Sequence, residues 1–522
     1  MHAYLGAAIT VAVLPVYWLL RWRFFSLPLH IDTGFYVSND TVYTHRWKFR
    51  NGWNARYAGC SKLLPEAVYS LLYLQHGPAG YKVRSRAHAS LYNLFTAVAV
   101  GLLCAVSVED SGHFWAYYAA GLIAFVAVSS QPQWGVYFEN AELFELLPQV
   151  AGVVLMASGL DCGSHIMLAA GVALWWLESF FIKLSSAPAA LVLTVWAVWA
   201  EPAAWLTILV AAVVAVLAYG AWLLWNGRSP WSMLVSFRRR QRQLDRIIGF
   251  DAYAQRLAEK SQLLAHVLVQ APAVLILLAI GIGTAELSPT RLGLLLAYAV
   301  GVGVCYGFQA GRIAYLTVPF QPLLAIAAGW GGVWLLHHGV VGASVLAALV
   351  GAWLAMFGWY LLGGRDRMAR WVWRVHATDR PAERNAALDR LAPELAAIVR
   401  DRSLLVYGSA NQAYVYVGRS YPIDFVSPAV WLDAMRPDWQ QELHDRMRQV
   451  PPSFILDTNY CFDARAAATR LGLAFQLERL WPEGYRLFKF VDRVEAPVPV
   501  PACRTHRSLN RMDIRLQEAG YE

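Results

Sequence analysis

The sequence predicts a mainly α-helical, polytopic membrane protein of about eleven transmembrane helices with a C-terminal α/β domain. Of the 522 residues, 57% are hydrophobic and only 15% are charged, whereas soluble proteins are about one quarter charged. Apolar runs that approach the roughly 20 residues needed to cross a bilayer recur through residues 1–363. Residues 364–522 instead alternate helical and strand patterns, which is typical of an α/β domain.

Each predicted span has about the length and apolar content that a transmembrane helix needs. The spans are predicted at residues 4–20, 88–107, 114–130, 142–160, 165–182, 187–201, 203–225, 262–283, 290–309, 313–335 and 340–362. The pair 187–201 and 203–225 is the least distinct, because Glu201-Pro202 divides one apolar run. Residues 64–75 are short and amphipathic, so they predict a helix that lies in the membrane interface.

An odd number of spans places the two chain ends on opposite sides of the membrane. The long loops 21–87 and 226–261 then share a side with the tail 364–522, and the short loops opposite contain no Lys or Arg. The positive-inside rule alone places the charged side in the cytoplasm. A site for an anionic lipid needs cations on whichever side it faces, so the two arguments predict opposite orientations.

The tail is predicted to be a small soluble domain of its own. Its apolar periodicity predicts helices over 381–400 and 438–449 and short buried strands over 403–407 and 453–457.

Charge and missing motifs narrow the class of ligand. The net charge of +9 fits anionic lipid head groups or phosphates, and nucleic acid is a poor candidate for cations held this close to a bilayer. The chain has no P-loop, no metalloprotease motif and no complete dinucleotide-binding motif, since Gly281-Ile-Gly283 lacks a third glycine. A nucleotide-sugar donor therefore has no visible site, which favours a lipid-linked donor.

Asp32 follows the first span after a short segment, in the stretch His30-Ile31-Asp32-Thr33-Gly34-Phe35-Tyr36. Transfer of a sugar from a lipid phosphate needs a base, or a carboxylate that orients the acceptor, close to the head group. Asp32 is well placed for that role. It could equally cap the start of an interfacial helix.

Three carboxylates open the span at 142–160, with Glu139 and Glu142 three residues apart and hence on one helical face. Glu145 extends that face into the membrane, where carboxylates are costly and usually functional. A structural alternative is that acids in the first turn complement the helix dipole. That alternative explains Glu139 and Glu142 better than Glu145.

Two cations end or open spans on the same side. Lys183 either holds a phosphate or extends its ammonium to the interface, and its spacing of five from Glu178 makes an ion pair within that helix doubtful. Arg312 either binds phosphate in a bidentate manner or anchors its span at the interface.

With these residues in view, the chain resembles the GT-C superfamily of polyprenyl-phosphate-sugar-dependent glycosyltransferases, in particular the protein-mannosyltransferase-like and aminoarabinose-transferase-like members. The resemblance covers most of residues 1–335. The stretches that carry it are Asp32 to Tyr36, Gly52, Tyr57, Lys62-Leu-Leu-Pro65, Glu139-Asn-Ala-Glu142, Lys183, and Arg312 with Tyr315 and Pro319. The sequence departs from the family where a double proline is reduced to Pro65.

The resemblance implies an inverting sugar transfer on the outer face of a bacterial cytoplasmic membrane. It implies Asp32 and Glu142 as catalytic residues, with Asp32 as the base or acceptor-orienting group. It also implies a set of residues that bind the donor and its lipid phosphate: Lys62, Lys183, Arg312, Tyr315, Glu139 and Tyr36. Some members use a divalent metal cation, for which Asp32, Glu139 and Glu142 would be the oxygen ligands.

The expected partners are a polyprenyl-phosphate-sugar donor, a glycan, lipid or protein acceptor, and membrane lipids. A transporter or flippase of lipid-linked sugars is the alternative from another functional class. It predicts related halves and broken helices near the midplane of the membrane, whereas this sequence shows no internal repeat and its charges gather at one surface.

Overall fold

The structure is a computed structural model. It describes residues 2–21, 63–109, 111–130, 141–225, 272–308, 314–362, 380–400, 402–407, 412–417, 437–458 and 462–494, with single positions at 229, 231, 261 and 264.

Helices dominate residues 2–362. In chain order they are α1 His2–Arg21, α2 Leu63–Val106, α3 Phe114–Ser129, α4 Ala141–Asp161, α5 His165–Phe181, α6 Ala187–Ala200, α7 Trp205–Trp225, α8 Pro272–Thr284, α9 Pro289–Phe308, α10 Gln321–His337 and α11 Gly339–Leu362. Short 3-10 helices lie at Ser111–His113, Leu184–Ser186, Pro202–Ala204 and Ala314–Phe320. Each predicted span overlaps one of the helices α1 to α11.

These helices form one bundle with a shared apolar core. Within the described ranges, six helices are long and apolar enough to cross a membrane by length and composition, and five apolar helices are shorter. Helix α10 is central, because it packs against α3, α8 and α11. On the other side of the bundle α4 packs against α2 and α5, and α6 against α9.

Helix α2 differs from the sequence prediction. A separate interfacial helix over 64–75 and a loop to residue 87 were expected, but the backbone is one continuous helix from Leu63 to Val106 through Gly77-Pro78. A proline inside a helix removes only one hydrogen bond, and membrane helices tolerate it where neighbours compensate. At about 1.5 Å per residue, this 44-residue helix is about twice as long as a bilayer core is thick.

The apolar run over 187–225 is split as predicted. Helix α6 ends at Ala200, and α7 begins at Trp205 after a 3-10 turn that starts with Pro202. The residue before a proline disfavours the helical conformation, and Glu201 accordingly leaves it at φ −135°.

Small residues bring α8 and α10 into direct backbone contact. A Cβ on Gly281 would lie 1.8 Å from the carbonyl oxygen of Ala327, and a Cβ on Gly331 would lie 2.1 Å from that of Leu277. Close approach of this kind is how membrane helices gain packing energy without a hydrophobic driving force. Gly281-Ile-Gly283, which is incomplete as a nucleotide motif, therefore contains a helix-packing glycine.

The tail folds into a mixed four-stranded sheet with helices. Its elements are α12 Arg380–Val399, β1 Leu404–Tyr407, α13 Ala413–Val417, α14 Pro437–Gln449, β2 Phe454–Asp457, α15 Ala464–Leu471, β3 Leu473–Leu480 and β4 Arg486–Arg493. The strand order is β1-β2-β4-β3, with β1 parallel to β2 and the other pairs antiparallel. The predicted helices and strands of this region are all present, within one residue of their predicted ends, and β3, β4, α13 and α15 are additional.

A buried ion pair joins the centre of this sheet. Asp457 is fully buried at the end of β2 and lies opposite Arg486 of β4 in the strand register. The guanidinium of Arg486 donates to the carboxylate of Asp457 and also to the carbonyl oxygen of Phe462. Because these bonds cross from β2 to β4, they fix the register of the two strands.

The close contact between α8 and α10 can be tested by mutation of Gly281, with Gly283 in the same helix as the control. Gly281→Ala is expected to destabilise the protein by about 1–3 kcal/mol, the usual range for overpacking, because its methyl group meets backbone atoms that cannot rotate away. Gly283→Ala meets nothing within 4 Å and gains helix propensity of up to about 1 kcal/mol. Thermal melts in detergent should rank Gly281→Ala below and Gly283→Ala at or above the parent. Equal melting temperatures for the two variants would contradict the close contact.

Candidate functional site

The candidate site lies at one end of the bundle, where α4 begins and α5 ends. Helix α5 stops at Phe181, and Lys183 then adopts an extended conformation with φ −157° and ψ 104°. A 3-10 turn over Leu184–Ser186 leads into α6, which has a proline in its first turn, where proline is well tolerated. This break between two helices places Lys183 beside the first turns of α4.

The ammonium of Lys183 forms an ion pair with Glu145 of α4. Its Nζ lies 2.9 Å from Oε1 of Glu145, and the Lys183 side chain is 12% exposed while that of Glu145 is 1% exposed. The other carboxylate oxygen accepts hydrogen bonds from Nε2 of Gln149 at 3.3 Å and Oγ of Ser186 at 3.4 Å. A buried carboxylate needs a cation and donors of this kind to remain charged.

A second carboxylate lies in the same cluster. Glu178 of α5 is 2% exposed, and Glu145 and Lys183 both act on it electrostatically. Gln149 and Ser186 lie near it as well. In the described part of the chain, no donor makes a hydrogen bond of normal geometry to either Glu178 oxygen.

A small cavity borders this cluster inside the bundle. Its volume is about 10 Å³, which suffices for roughly one water molecule and excludes a sugar or a lipid phosphate. The lining residues are Glu145, Gln149, Trp175, Ser186, Ala189, Val302, Cys305, Tyr306 and Pro319. This cavity is therefore too small to be the binding site of a lipid-linked sugar.

The described elements of the tail, from Arg380 to Arg493, form a C-terminal unit that packs against the same end of the bundle. Val415 of α13 is fully buried in an apolar cluster with Tyr81 of α2, Phe144 of α4 and Ile182. Phe144 and Ile182 are the sequence neighbours of Glu145 and Lys183. The C-terminal unit thus covers the apolar flank of the ion pair.

Polar contacts fasten the same junction. Lys82 of α2 donates to Asp389 of α12 at 2.5 Å, and the hydroxyl of Tyr416 donates to the other oxygen of that carboxylate. Asp389 of α12 therefore contacts both helix α2 of the bundle and helix α13 of the C-terminal unit.

Of the predicted catalytic and binding residues, Lys183 is the one whose side chain lies in the described part of the chain. Its ammonium is paired with Glu145, and its role as a phosphate ligand stays a prediction. The spacing of five from Glu178 made an ion pair within one helix doubtful, and the printed partner of Lys183 indeed comes from another helix. Five predicted site residues lie outside the described residues: Asp32, Tyr36, Lys62, Glu139 and Arg312.

Glu142 and Tyr315 have described backbones, one in the first turn of α4 and one in the 3-10 helix Ala314–Phe320. That 3-10 helix packs against α4 and α9, so the backbone of Tyr315 belongs to the elements around the cluster. For a metal, the described residues contain no group of three His, Cys, Asp or Glu side chains that could hold one. The three candidate ligands, Asp32, Glu139 and Glu142, have side chains outside the described set.

Sequence reasoning missed Gln149, Ser186 and the position of Glu178 beside Glu145. The spacing of four between Glu145 and Gln149 places both on one face of α4, and this signal was available. Ser186 and Glu178 reach the cluster through the packing of α4 on α5, which a single sequence does not encode locally.

No family model matches the chain, and no curated protein sequence matches it either. Solved structures do match. ArnT from Cupriavidus metallidurans bound to undecaprenyl phosphate has a TM-score of 0.57 at 13% identity, over 94% of this chain and 99% of the ArnT chain. The same protein in the apo state gives a TM-score of 0.54 at 15% identity, over 94% and 98%. This chain therefore has the fold of ArnT, and the predicted GT-C-like fold is confirmed.

The buried ion pair predicts an asymmetric response to mutation. Lys183→Ala is expected to lower the free energy of unfolding by about 3–5 kcal/mol, because it leaves Glu145 buried without its cation. Adding Glu145→Gln should recover much of that loss, since the amide is uncharged and similar in shape. Chemical denaturation in detergent of both single variants and the double variant measures the coupling.

A control for this cycle is Arg390→Ala, which removes an ion pair with Glu483 whose arginine is 65% exposed. Exposed pairs contribute about 0–1 kcal/mol. If Lys183→Ala cost no more than Arg390→Ala, the pair with Glu145 would not be buried in the folded protein.

Proposed function

We propose that this protein is a membrane glycosyltransferase that moves a sugar from a polyprenyl-phosphate donor to an acceptor on the outer face of the cytoplasmic membrane. The observation that carries the proposal is the fold. Nearly the whole chain superimposes on ArnT, whose crystal structure contains undecaprenyl phosphate. The motif resemblance in residues 1–335 supports the same conclusion independently.

In the proposed reaction the acceptor hydroxyl attacks the anomeric carbon of the sugar. Asp32 takes the hydroxyl proton, and the new bond forms on the face opposite the phosphate, which inverts the configuration. The bond between the anomeric carbon and the phosphate oxygen breaks, and the lipid phosphate leaves with one more negative charge than it had in the donor. Glu142 assists as the second catalytic carboxylate.

Cations stabilise the phosphate of the donor and of the leaving lipid in this proposal. Lys62, Lys183 and Arg312 supply the positive charge, an electrostatic role that counts most where water is excluded. Tyr36, Tyr315 and Glu139 complete the binding site. Lys183 supports the assignment, because Glu145 holds its ammonium in place at the end of the bundle, and its side chain is 12% exposed.

The C-terminal unit is proposed to face the same compartment as the site and to cover it. Its contacts with α2 next to Phe144 and Ile182 support this placement. We further propose that residues 1–363 and 364–522 are separate domains and that the acceptor is a glycan, a lipid or a protein.

The catalytic role of Asp32 generates a direct test. Asp32→Asn is expected to lower turnover by roughly 100-fold or more, in the range that a general base contributes, because the amide cannot accept the proton. Transfer of labelled sugar from a polyprenyl-phosphate donor measures it, with a melting curve to show that folding is intact. Asp40→Asn, in the same loop, is the matched control and should retain activity. Full activity of Asp32→Asn would remove Asp32 from the mechanism.

The orientation of the site is a second test. A two-sided reporter after residue 522 is expected to report the outer compartment, and one inserted in the short loop 108–113 is expected to report the cytoplasm. The reverse result would mean that the positive-inside rule sets the topology, and a transferase acting on the outer face would then be excluded.

A further inference from the structure

Two polar groups that the proposed reaction does not use lie at the small cavity inside the bundle. They belong to Trp175 of α5 and Gln149 of α4, which both line the cavity. Trp175 is fully buried and Gln149 is 2% exposed. In the part of the chain that the structure describes, neither Nε1 of Trp175 nor Oε1 of Gln149 has a hydrogen-bond partner. Such atoms are unfavourable in a protein interior, where nearly all buried polar groups are paired.

The indole nitrogen of Trp175 lies against the same face of α4 as Gln149. A Cβ on Gly152 of α4 would lie 3.0 Å from Nε1 of Trp175 and 2.7 Å from its Cδ1, so the lack of a side chain at Gly152 lets the indole approach this helix. Gly152 follows Gln149 by three residues, and residues at this spacing share a helical face. The indole N–H and the amide oxygen are therefore neighbours on one side of α4.

The carboxylate of Glu145 fixes which way the amide of Gln149 points. Nε2 of Gln149 donates to Oε2 of Glu145 at 3.3 Å, whereas a reversed amide would direct its oxygen at the carboxylate, and two acceptors repel each other. Oε1 of Gln149 therefore needs a donor from another direction. The indole N–H of Trp175 can only donate, and it is not hydrogen-bonded to this oxygen. A molecule that both accepts and donates would satisfy the two groups together.

We propose that the cavity is a binding site for one water molecule, which accepts a hydrogen bond from Nε1 of Trp175 and donates one to Oε1 of Gln149. The cavity volume of about 10 Å³ is close to the least that a water needs. Ser186 also lines the cavity, and its hydroxyl hydrogen is donated to Glu145, so its oxygen can accept the second hydrogen of the water. Three hydrogen bonds are the usual number for a buried water.

The water extends the contacts of the Lys183–Glu145 pair to a second helix. Gln149 donates to Glu145, and the water joins Gln149 to Trp175 of α5. It thereby keeps the amide in the orientation in which it donates to the carboxylate. The three residues that bind the water have no assigned role in sugar transfer, so the site goes beyond the proposed function and does not depend on it.

A structure of the full-length protein, determined in nanodiscs or in a lipidic crystal at a resolution that shows ordered waters, tests the site without any variant. We expect a single density peak in the cavity, at hydrogen-bonding distance from Nε1 of Trp175 and Oε1 of Gln149. A cavity without density would overturn the proposal. Direct contact between the two side-chain atoms would overturn it as well, because it would leave the water no role.

Thermal melts of variants test whether the two side chains act through a shared partner. Trp175→Phe removes the donor, and Gln149→Leu removes the acceptor at similar volume. We expect Trp175→Phe to lower the melting temperature of the parent by a few degrees and that of Gln149→Leu by clearly less, because the water has already lost its acceptor there. Equal shifts in the two backgrounds would mean that the residues are independent, which contradicts the bridge.

Trp176→Phe is the matched control, since Trp176 is the next residue of α5 and its Nε1 donates directly to Oγ1 of Thr194 at 3.0 Å. It should lower the melting temperature equally in the parent and in Gln149→Leu, because its hydrogen bond needs no water. Coupling of Trp176→Phe to Gln149→Leu as strong as that of Trp175→Phe would contradict a bridge specific to Trp175. If a variant does not fold, the density in the parent cavity decides.

Discussion

The polar end of the bundle depends on the buried pair between Lys183 and Glu145. It joins α4 to the break between α5 and α6, and Ser186 from the same break contributes a hydrogen bond to the carboxylate. Burying two charges is costly, and geometry alone decides whether their attraction compensates. The extended backbone at Lys183 provides that geometry, because it lets the side chain return toward α4.

The C-terminal unit is coupled to the same contact through its immediate neighbours. Phe144 and Ile182, each adjacent in sequence to one partner of the pair, enclose Val415. Helix α13 therefore packs directly on the sequence neighbours of the two charged residues. Because Asp389 holds both Lys82 and Tyr416, the unit is fastened by polar contacts at its edge and by apolar contacts at its centre. A cover of this kind excludes water from the flank of the pair, which strengthens the attraction between the ammonium and the carboxylate.

How far the sequence determines this structure depends on the range of each interaction. Apolar content along the chain predicted the helices, because membrane insertion depends on each segment alone, and the Glu201-Pro202 break followed from a local steric rule. The same local rule gave a wrong prediction at Gly77-Pro78. It predicts a break there, but the long helix α2 continues through both residues. The partner of Lys183 and the buried register pair Asp457–Arg486 were beyond reach, because they join residues that only the fold brings together. Most of the candidate site residues, Asp32 among them, remain predictions from motifs.

The described residues bury charge very differently at the two ends of the bundle. In the described residues, the opposite end of the bundle also has an ion pair, Asp161 with Arg291, but its side chains are 40% and 18% exposed and Arg291 also donates to the carbonyl oxygen of Val108. That pair fastens helix ends at little desolvation cost. Elsewhere the helices are held together by close backbone packing without charges, as at Gly281 and Gly331. Replacing a buried ion pair by apolar residues is often neutral or stabilising, so stability alone does not explain three ionisable groups at Glu145, Glu178 and Lys183.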